Sequence, residues 1–415
     1  MFKFLHAADI HLDSPLKGLT NYEGLPAEEI RLASRHAFDR LVALAISQKV
    51  HFVLIAGDLY DGDWKDNRTG LFFHSRMSRL REKGIHVYLI KGNHDAASVV
   101  TKSLPLPENT HLFDVRKAES MQVPGVSAVI HGQSFPNRHV DENLAADYPA
   151  RDPQCFNIGM LHTSLEGSTE HATYAPCSVD DLRLKGYEYW ALGHIHTAWE
   201  VLSGDPWIVF PGNIQGRNIR ETGAKGCRIV TVDDTHRVVS CEFFPLDVFR
   251  WMELQVDVGG VIEMHEVEQA VDKALRAVEL PDAIQLIVRL SLTGATQLTG
   301  QLIATADWKD ALRALATDIG AERIWLEKIE VKCKFPRQPQ DMGGPLAEVA
   351  ETLSALRDAD PQPIFENLLA KLPDDMKESV RAAINPAGPE YEQLLAEVEA
   401  LLHARLSGQA VADAD

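Results

Sequence analysis

Apolar runs alternate with amphipathic stretches over about the first 247 residues. Phe2–Ala8, Phe52–Ala56, Val87–Ile90, Phe156–Leu161 and Tyr189–Leu192 each read as a short buried strand. Between the first two, Ile30, Phe38, Leu41, Val42 and Ala45 recur at helical spacing within Ala27–Gln48, with Arg31, Arg35 and Arg40 as the polar face. Arg68–Leu80 reads as another helix, with Leu71, Phe72, Met77 and Leu80 facing a core. Strands separated by helices predict a layered α/β domain.

The pattern changes near Pro245–Arg250. Met252, Leu254, Val256 and Val258 alternate, Val261–Val278 is helical, and Ile284 to Leu292 alternate again. Asp307–Ile319 is helical and Arg323–Lys332 returns to strand, a compact β-α-β-α-β unit over 248–335. Residues 336–345, rich in Pro, Gly and Gln, predict a linker. The segment 346–406 carries two amphipathic helices, Pro363–Leu372 and Pro389–Leu406, and 407–415 is a frayed tail. Two short helices bury little by themselves and need a surface to dock on.

Composition narrows the class. The chain has 415 residues, 45% hydrophobic and 24% charged, as expected for two or three globular domains. No apolar run approaches the roughly 18 residues of a membrane span, and no secretory leader opens the sequence. Cys155, Cys177, Cys227, Cys241 and Cys333 form no C-x-x-C pair, which fits a reduced, cytoplasmic setting without membrane contact. The net charge of −19 argues against a nucleic-acid partner, but residues 336–415 hold 6 Lys+Arg against 15 Asp+Glu. That tail accounts for −9, so DNA binding requires a local basic patch elsewhere.

Polar motifs follow the strand runs. Asp9-Ile-His11 follows the first, Gly57-Asp58-Leu-Tyr-Asp61 the second and Gly92-Asn93-His94-Asp95 the third. Leu161-His162-Thr163 and Gly193-His194-Ile-His196 follow the fourth and fifth. Each alone is weak, since a lone Gly-Asp or Gly-Asn pair is usually a turn and most histidines are ordinary. Five in order, at the carboxyl ends of strands, mark the place where open α/β sheets bind ligands. Aspartate and asparagine oxygens with histidine nitrogens, and no thiolates, suit a pair of manganese, iron or zinc ions better than calcium or structural zinc. His6 and Asp13 read as structural residues near the first motif.

These motifs resemble those of the calcineurin-like metallophosphoesterases. Within that family the chain resembles the SbcD-type DNA repair nucleases of the YhaO group, and residues 210–226, Phe-Pro-Gly-Asn-Ile-Gln-Gly-Arg-Asn-Ile-Arg-Glu-Thr-Gly-Ala-Lys-Gly, carry the more specific likeness. The resemblance implies a four-layer β-sandwich flanked by helices, a small α/β cap and a C-terminal helical segment. It implies that Asp9, His11 and His196 hold one divalent cation, that Asn93, His162 and His194 hold a second, and that Asp58 bridges them. Manganese is the expected metal, with iron or zinc as alternatives. His94 is then the residue that stabilises the transition state or protonates the leaving oxygen, oriented by Asp61 or Asp95, with Asp61 favoured. Arg217, Arg220 and Lys225 are candidate DNA-backbone contacts. An SbcC-like coiled-coil ATPase is the implied partner of the C-terminal helices, and a homodimer through a helix near 68–80 is a further expectation.

The implied activity is metal-dependent exonucleolytic hydrolysis of DNA in double-strand break processing. Two other readings are kept. A small-molecule or nucleotide phosphodiesterase or phosphatase would use the same chemistry, and a non-catalytic scaffold would keep the fold without the metals. Every ligand position is filled, against the scaffold, while the separate cap and the 210–226 segment weigh against the small-substrate enzyme.

Overall fold

In a computed structural model, the described residues are 1–16, 19, 27–61, 68–96, 106–165 and 174–336, with single positions between 363 and 398. The expected linker, the helices of 346–406 and the tail therefore fall almost wholly outside the described residues. The chain divides into two compact units. The first is Met1–Met252 with Pro281–Ile287, and the second Glu253–Leu280 with the residues from Val288 onward.

The first unit is built on two six-stranded sheets. One has the order β12-β11-β1-β2-β3-β4, with β1 (Phe2–Ala7), β2 (Phe52–Ala56), β3 (His86–Ile90), β4 (Thr110–Leu112), β11 (Gly226–Val232) and β12 (Val238–Pro245). The other has the order β5-β6-β7-β8-β10-β9. Its strands are β5 (Glu119–Gln122), β6 (Ala128–Gly132), β7 (Phe156–His162), β8 (Tyr189–Gly193), β9 (Trp199–Leu202) and β10 (Trp207–Phe210). The strands that lead into the motifs pair in parallel: β1 with β2, β2 with β3, and β7 with β8.

Alternation along these strands builds the layers. Phe4, Phe52, Leu54 and Tyr88 from one sheet meet Ile130, Phe156, Ile158, Met160 and Tyr189 from the other. Leu5, Ala7, Val53, Ile55, Val87 and Leu89 face the opposite way, against Phe38, Leu41, Val42, Phe73, Met77 and Leu80. Those residues come from α2 (Ala33–Ser47) and α3 (Arg68–Arg81), with α1 (Ala27–Arg31) before them. On the far side of the second sheet, Leu161, Trp190, Leu192 and Phe210 are covered by Ala145 and Leu182, the latter from α5 (Val179–Leu184). The result is the expected helix–sheet–sheet–helix sandwich.

Several details differ from the sequence reading. Leu32 interrupts the helix expected over 27–48, leaving α1 and α2. Leu71 is 57% exposed rather than core, while Phe73 is buried. Arg35 pairs with Asp13, and Arg40 donates to the carbonyls of Asp247 and Ala283, so neither is a free surface cation. The change of unit falls after Met252, because Phe249, Trp251 and Ile287 are buried with Leu16, Ile30 and Ala33.

The second unit holds most of a three-stranded sheet of order β13-β14-β15, made of β13 (Phe249–Asp257), β14 (Gln285–Thr293) and β15 (Ile324–Val331), the first residues of β13 and β14 being counted in the first unit. With them come α6 (Met264–Arg276), a short α7 (Thr299–Ala304) absent from the sequence reading, and α8 (Asp307–Ile319). Val267, Val271 and Leu275 of α6 and Trp308, Leu312 and Ala316 of α8 are buried, and both helices touch. No helix among the described residues is long and apolar enough to cross a membrane.

One buried histidine makes the first unit acid-sensitive. His6 lies 3.2 Å from the Leu192 carbonyl and 3.0 Å from the Tyr189 hydroxyl. Since a carbonyl only accepts, Nε2 carries the proton and Nδ1 accepts from Tyr189. Burial pushes its pKa from 6.5 down to about 3. Between these values the unfolded chain binds a proton that the folded chain refuses, so stability falls as pH drops from about 6.5 towards 3, by at most about 1.4 kcal/mol per pH unit. Urea denaturation at pH 7 and pH 4.5 should show a larger loss for the wild type than for His6→Gln; equal losses would contradict the assignment.

Candidate metal centre

The five motifs meet where the strands end. Asp9 and His11 follow β1, Asp58 follows β2, and Asn93 opens α4 (Asn93–Ala96) just after β3. His162 is the last residue of β7, and His194 and His196 follow β8. The first sheet thus brings the carboxylates, the amide and His11, and the second brings three histidines.

Leaving a strand so sharply requires unusual backbone. Asp9, His11, Asp58 and His194 take φ of 49°, 45°, 51° and 103°, a region that costs a residue with a side chain of order 1–3 kcal/mol. Hydrogen bonds between the motifs hold these turns in place. The N–H groups of Asp9 and His11 donate to the carbonyls of Gly57 and Asp58, each at 3.0 Å. The His94 N–H donates to Asp58 Oδ1 at 2.9 Å, and the His194 N–H to both oxygens of Asp9 at 3.1 and 3.0 Å. Asp95 accepts from the N–H groups of Leu59, Tyr60 and Gly92, which ties the second motif to the third. Glycine is needed for close approach: a Cβ on Gly92 would lie 2.3 Å from Asp58 Oδ1 and 2.8 Å from His162 Nε2.

Donor atoms converge in three overlapping groups, Asp9/His11/His196, His11/Asp58/His94 and Asp9/Asp58/His162, each within 4.8 Å. The fit to cations is visible at His162. Its Nδ1 donates to the Ala56 carbonyl at 3.0 Å, so the neutral ring turns a lone pair at Nε2 towards Asn93 Oδ1 at 3.0 Å and Asp58 Oδ2 at 3.4 Å. Three lone-pair atoms facing one another call for a cation or an imidazolium. Burial pulls the His162 pKa down, but the Asp58 charge outweighs it and raises it to about 9. A second such meeting is His11 Nε2 with His196 Nε2 at 3.4 Å. Two nitrogens about 2.0–2.1 Å from a tetrahedral ion lie roughly that far apart. His11 Nδ1 is buried without a hydrogen-bond partner.

Charge points the same way. Asp9 and Asp58 are 1% and 2% exposed. Burial raises the Asp9 carboxyl pKa, with Asp58 adding to the rise and His196 and His162 opposing it. At Asp58 burial also opposes ionisation, but His162 and His11 outweigh it and hold the carboxyl well below the usual range.

The pocket mouth has a different character. His94 Nδ1 lies 2.7 Å from Asp61 Oδ1, with both side chains about a quarter exposed. That contact, opposed by burial, raises the His94 pKa, and Ser14 Oγ donates to Asp61 at 2.7 Å. Asp61 rather than Asp95 therefore partners His94, since Asp95 is spent on backbone. His196 Nδ1 lies 2.9 Å from Glu221 Oε1, a residue the sequence reading did not single out. Arg217 joins the two pairs, with Nη1 3.7 Å from Asp61 and Nη2 3.3 Å from Glu221.

The basic residues divide. Arg217 is mostly buried at the pocket and Arg220 is exposed, its N–H donating to Asn218 Oδ1. Lys225 is corrected: it is 5% exposed and donates to the His196 carbonyl at 3.0 Å, so it braces a loop and offers no surface to DNA. His194 belongs to none of the three donor groups among the described residues, although its ring centroid is 5.3 Å from that of His162. Asp13 is engaged by Arg35 and Thr69, and His6 by Tyr189, as structural residues.

Residues 2–198 match the model of the calcineurin-like phosphoesterases, and residues 251–334 match the middle domain of metallophosphoesterase YhaO. An uncharacterized metallophosphoesterase YhaO of Bacillus subtilis is 37% identical over 292 residues, covering 69% of this chain and 71% of that one. The chain belongs to the calcineurin-like metallophosphoesterases. More distantly similar is the DNA double-strand break repair protein Mre11 of Methanopyrus kandleri, 24% identical over 67% of this chain and 59% of that protein. Mre11 of Sulfolobus acidocaldarius is 21% identical over 79% of this chain and 83% of that protein. A dimetal phosphatase structure from Danio rerio aligns at 11% identity and a TM-score of 0.33, over 56% of this chain and 93% of that one, a likeness too low for functional inference.

Metallophosphoesterases use divalent metal ions, and the donor geometry above fits that chemistry. Gly92→Ala tests how closely the pocket is built. The added methyl must displace Asp58 or His162, and a shift of about 1 Å at reacting groups costs on the order of 100-fold. Hydrolysis of bis-p-nitrophenyl phosphate in Mn²⁺ should fall by about that factor; an unchanged rate would contradict the contact.

Proposed function

We propose that this metallophosphoesterase is a two-metal nuclease that hydrolyses DNA phosphodiesters. The carrying observation is the convergence of Asp9, His11, Asp58, Asn93, His162 and His196 on one pocket, with His94 at its mouth. Asp9, His11 and His196 are assigned to one cation, Asn93, His162 and His194 to the other, and Asp58 to both. Two bound divalent cations, manganese foremost, supply positive charge against phosphoryl oxygens and lower the pKa of a water nucleophile.

The chain's own residues do the rest. Asp61 Oδ1 stands 2.7 Å from His94 Nδ1, where its charge favours the imidazolium that such a role needs and leaves Nε2 for a phosphoryl or leaving oxygen. Arg217 places a guanidinium beside His94 and His196, where it suits a diester's negative charge. DNA as substrate is supported by the likeness to Mre11 proteins, named for double-strand break repair, and by Arg217 beside Asp61 and His196, with the exposed Arg220 three positions on in the same loop. The reading extends to exonucleolytic break processing in the cytoplasm with an SbcC-like coiled-coil ATPase bound through 346–406. It also allows a homodimer through α3, where Leu71 is exposed. The net charge of −19 favours a second reading, hydrolysis of small phosphodiesters.

End-labelled linear duplex DNA in Mn²⁺ separates the two. Stepwise shortening by the wild type is expected, reduced roughly 10²–10⁴-fold in His94→Gln. Hydrolysis of bis-p-nitrophenyl phosphate without DNA cleavage, with or without an ATPase partner, would favour the small-substrate reading. Asp58→Asn should abolish both activities and leave the far-ultraviolet circular dichroism unchanged; a fully active Asp58→Asn protein would sink the bridging assignment.

A further inference from the structure

We propose that Glu221 is a positioning residue for the metal centre: it holds the proton on His196 Nδ1 and so turns the Nε2 lone pair into the pocket. This rests on the two-metal reading. A carboxylate offers only acceptors, so the 2.9 Å contact between Glu221 Oε1 and His196 Nδ1 requires an Nδ1–H. In the neutral ring that leaves the lone pair at Nε2, 3.4 Å from His11 Nε2 and 3.9 Å from Asp9 Oδ1.

Glu221 is itself held firmly. Its Oε2 accepts from Asn213 Nδ2 and from the Arg217 N–H, each at 2.8 Å, and Arg217 Nη2 lies 3.3 Å from Oε1. Arg217 Nη2 also comes within 3.3 Å of His196 Nδ1 and would donate to it in the other tautomer, but the Glu221 contact at 2.9 Å is shorter and the same Nη2 has Glu221 Oε1 as an equally close acceptor at 3.3 Å. The same loop grips the His196 carbonyl through the Asn213 N–H at 3.3 Å and Lys225 Nζ at 3.0 Å. The segment after the last histidine motif thus holds His196 by its ring and its backbone.

The alternative tautomer has a ready partner. With the proton on Nε2, His196 would donate to His11 Nε2 at the same 3.4 Å and close the position a cation needs. Glu221→Gln replaces a pure acceptor with an amide whose NH₂ can donate to Nδ1, which favours that closed arrangement. Outer carboxylates of this kind change metal affinity by roughly 10–100-fold.

The test is Mn²⁺ titration followed by electron paramagnetic resonance of free Mn²⁺, on wild type and Glu221→Gln, with ¹⁵N-histidine NMR of both metal-free proteins. The expectation is two sites in the wild type, one of them weakened roughly 10–100-fold in the variant. His196 should carry its proton on Nδ1 in the wild type and on Nε2 in Glu221→Gln. Both affinities within twofold would overturn the inference and leave the two-metal reading standing. An Nε2–H His196 in the wild type would overturn it without any variant. No Mn²⁺ binding by the wild type would remove the two-metal reading, and the inference with it.

Discussion

Two carboxylates of like charge, Asp9 and Asp58, are buried side by side in this protein, and the surrounding structure is organised to make that tolerable. Burying an ionised carboxylate is costly unless it is paired and hydrogen-bonded. Here the compensation is supplied by backbone N–H groups of other motifs and by histidines that crowd in from the second sheet. Each carboxylate thereby stitches two strand ends together. The same oxygens that hold the turns also present negative charge to the pocket, so the scaffold and the cation site are one set of contacts.

The sandwich makes this economical. Parallel pairing of β1, β2 and β3 in one sheet and of β7 and β8 in the other aligns their carboxyl ends. Apolar faces between and outside the sheets form the cores, and the motif side chains gather where the strands stop. Strain in the left-handed turns at Asp9, His11, Asp58 and His194 is sustained because those cores and cross-motif hydrogen bonds fix the backbone on both sides.

How much of this could be read from the chain depends on what each strand does. Strands whose carboxyl ends reach the pocket are followed by Asp, Asn or His, and that flag exposed β1, β2, β3, β7 and β8 as well as the site. β4, β5, β6, β9, β10, β11 and β12 complete the sheets without leading into a motif, and β5 and β9 are partly exposed edge strands with weak apolar patterning. The 210–226 segment shows the other limit. Lys225 and Arg220 look alike in sequence, yet one is buried against a carbonyl and the other is open to solvent. Glu221 drew no notice because a glutamate in a glycine-rich loop does not announce a histidine 25 positions upstream. The Arg217–Glu221 spacing, with opposite charges four apart, was the available signal. Asp61 rather than Asp95 faces His94 because three backbone N–H groups occupy Asp95, which no spacing along the chain reveals.

The family membership and the donor set give a phosphoesterase framework, and the proposed centre holds two cations around Asp58. A crystal grown with Mn²⁺ and measured at the manganese absorption edge tests that claim directly. Two anomalous peaks roughly 3.5–4 Å apart with the Asp58 carboxylate between them are predicted. A single peak, or two peaks with Asp58 contacting neither, would contradict it.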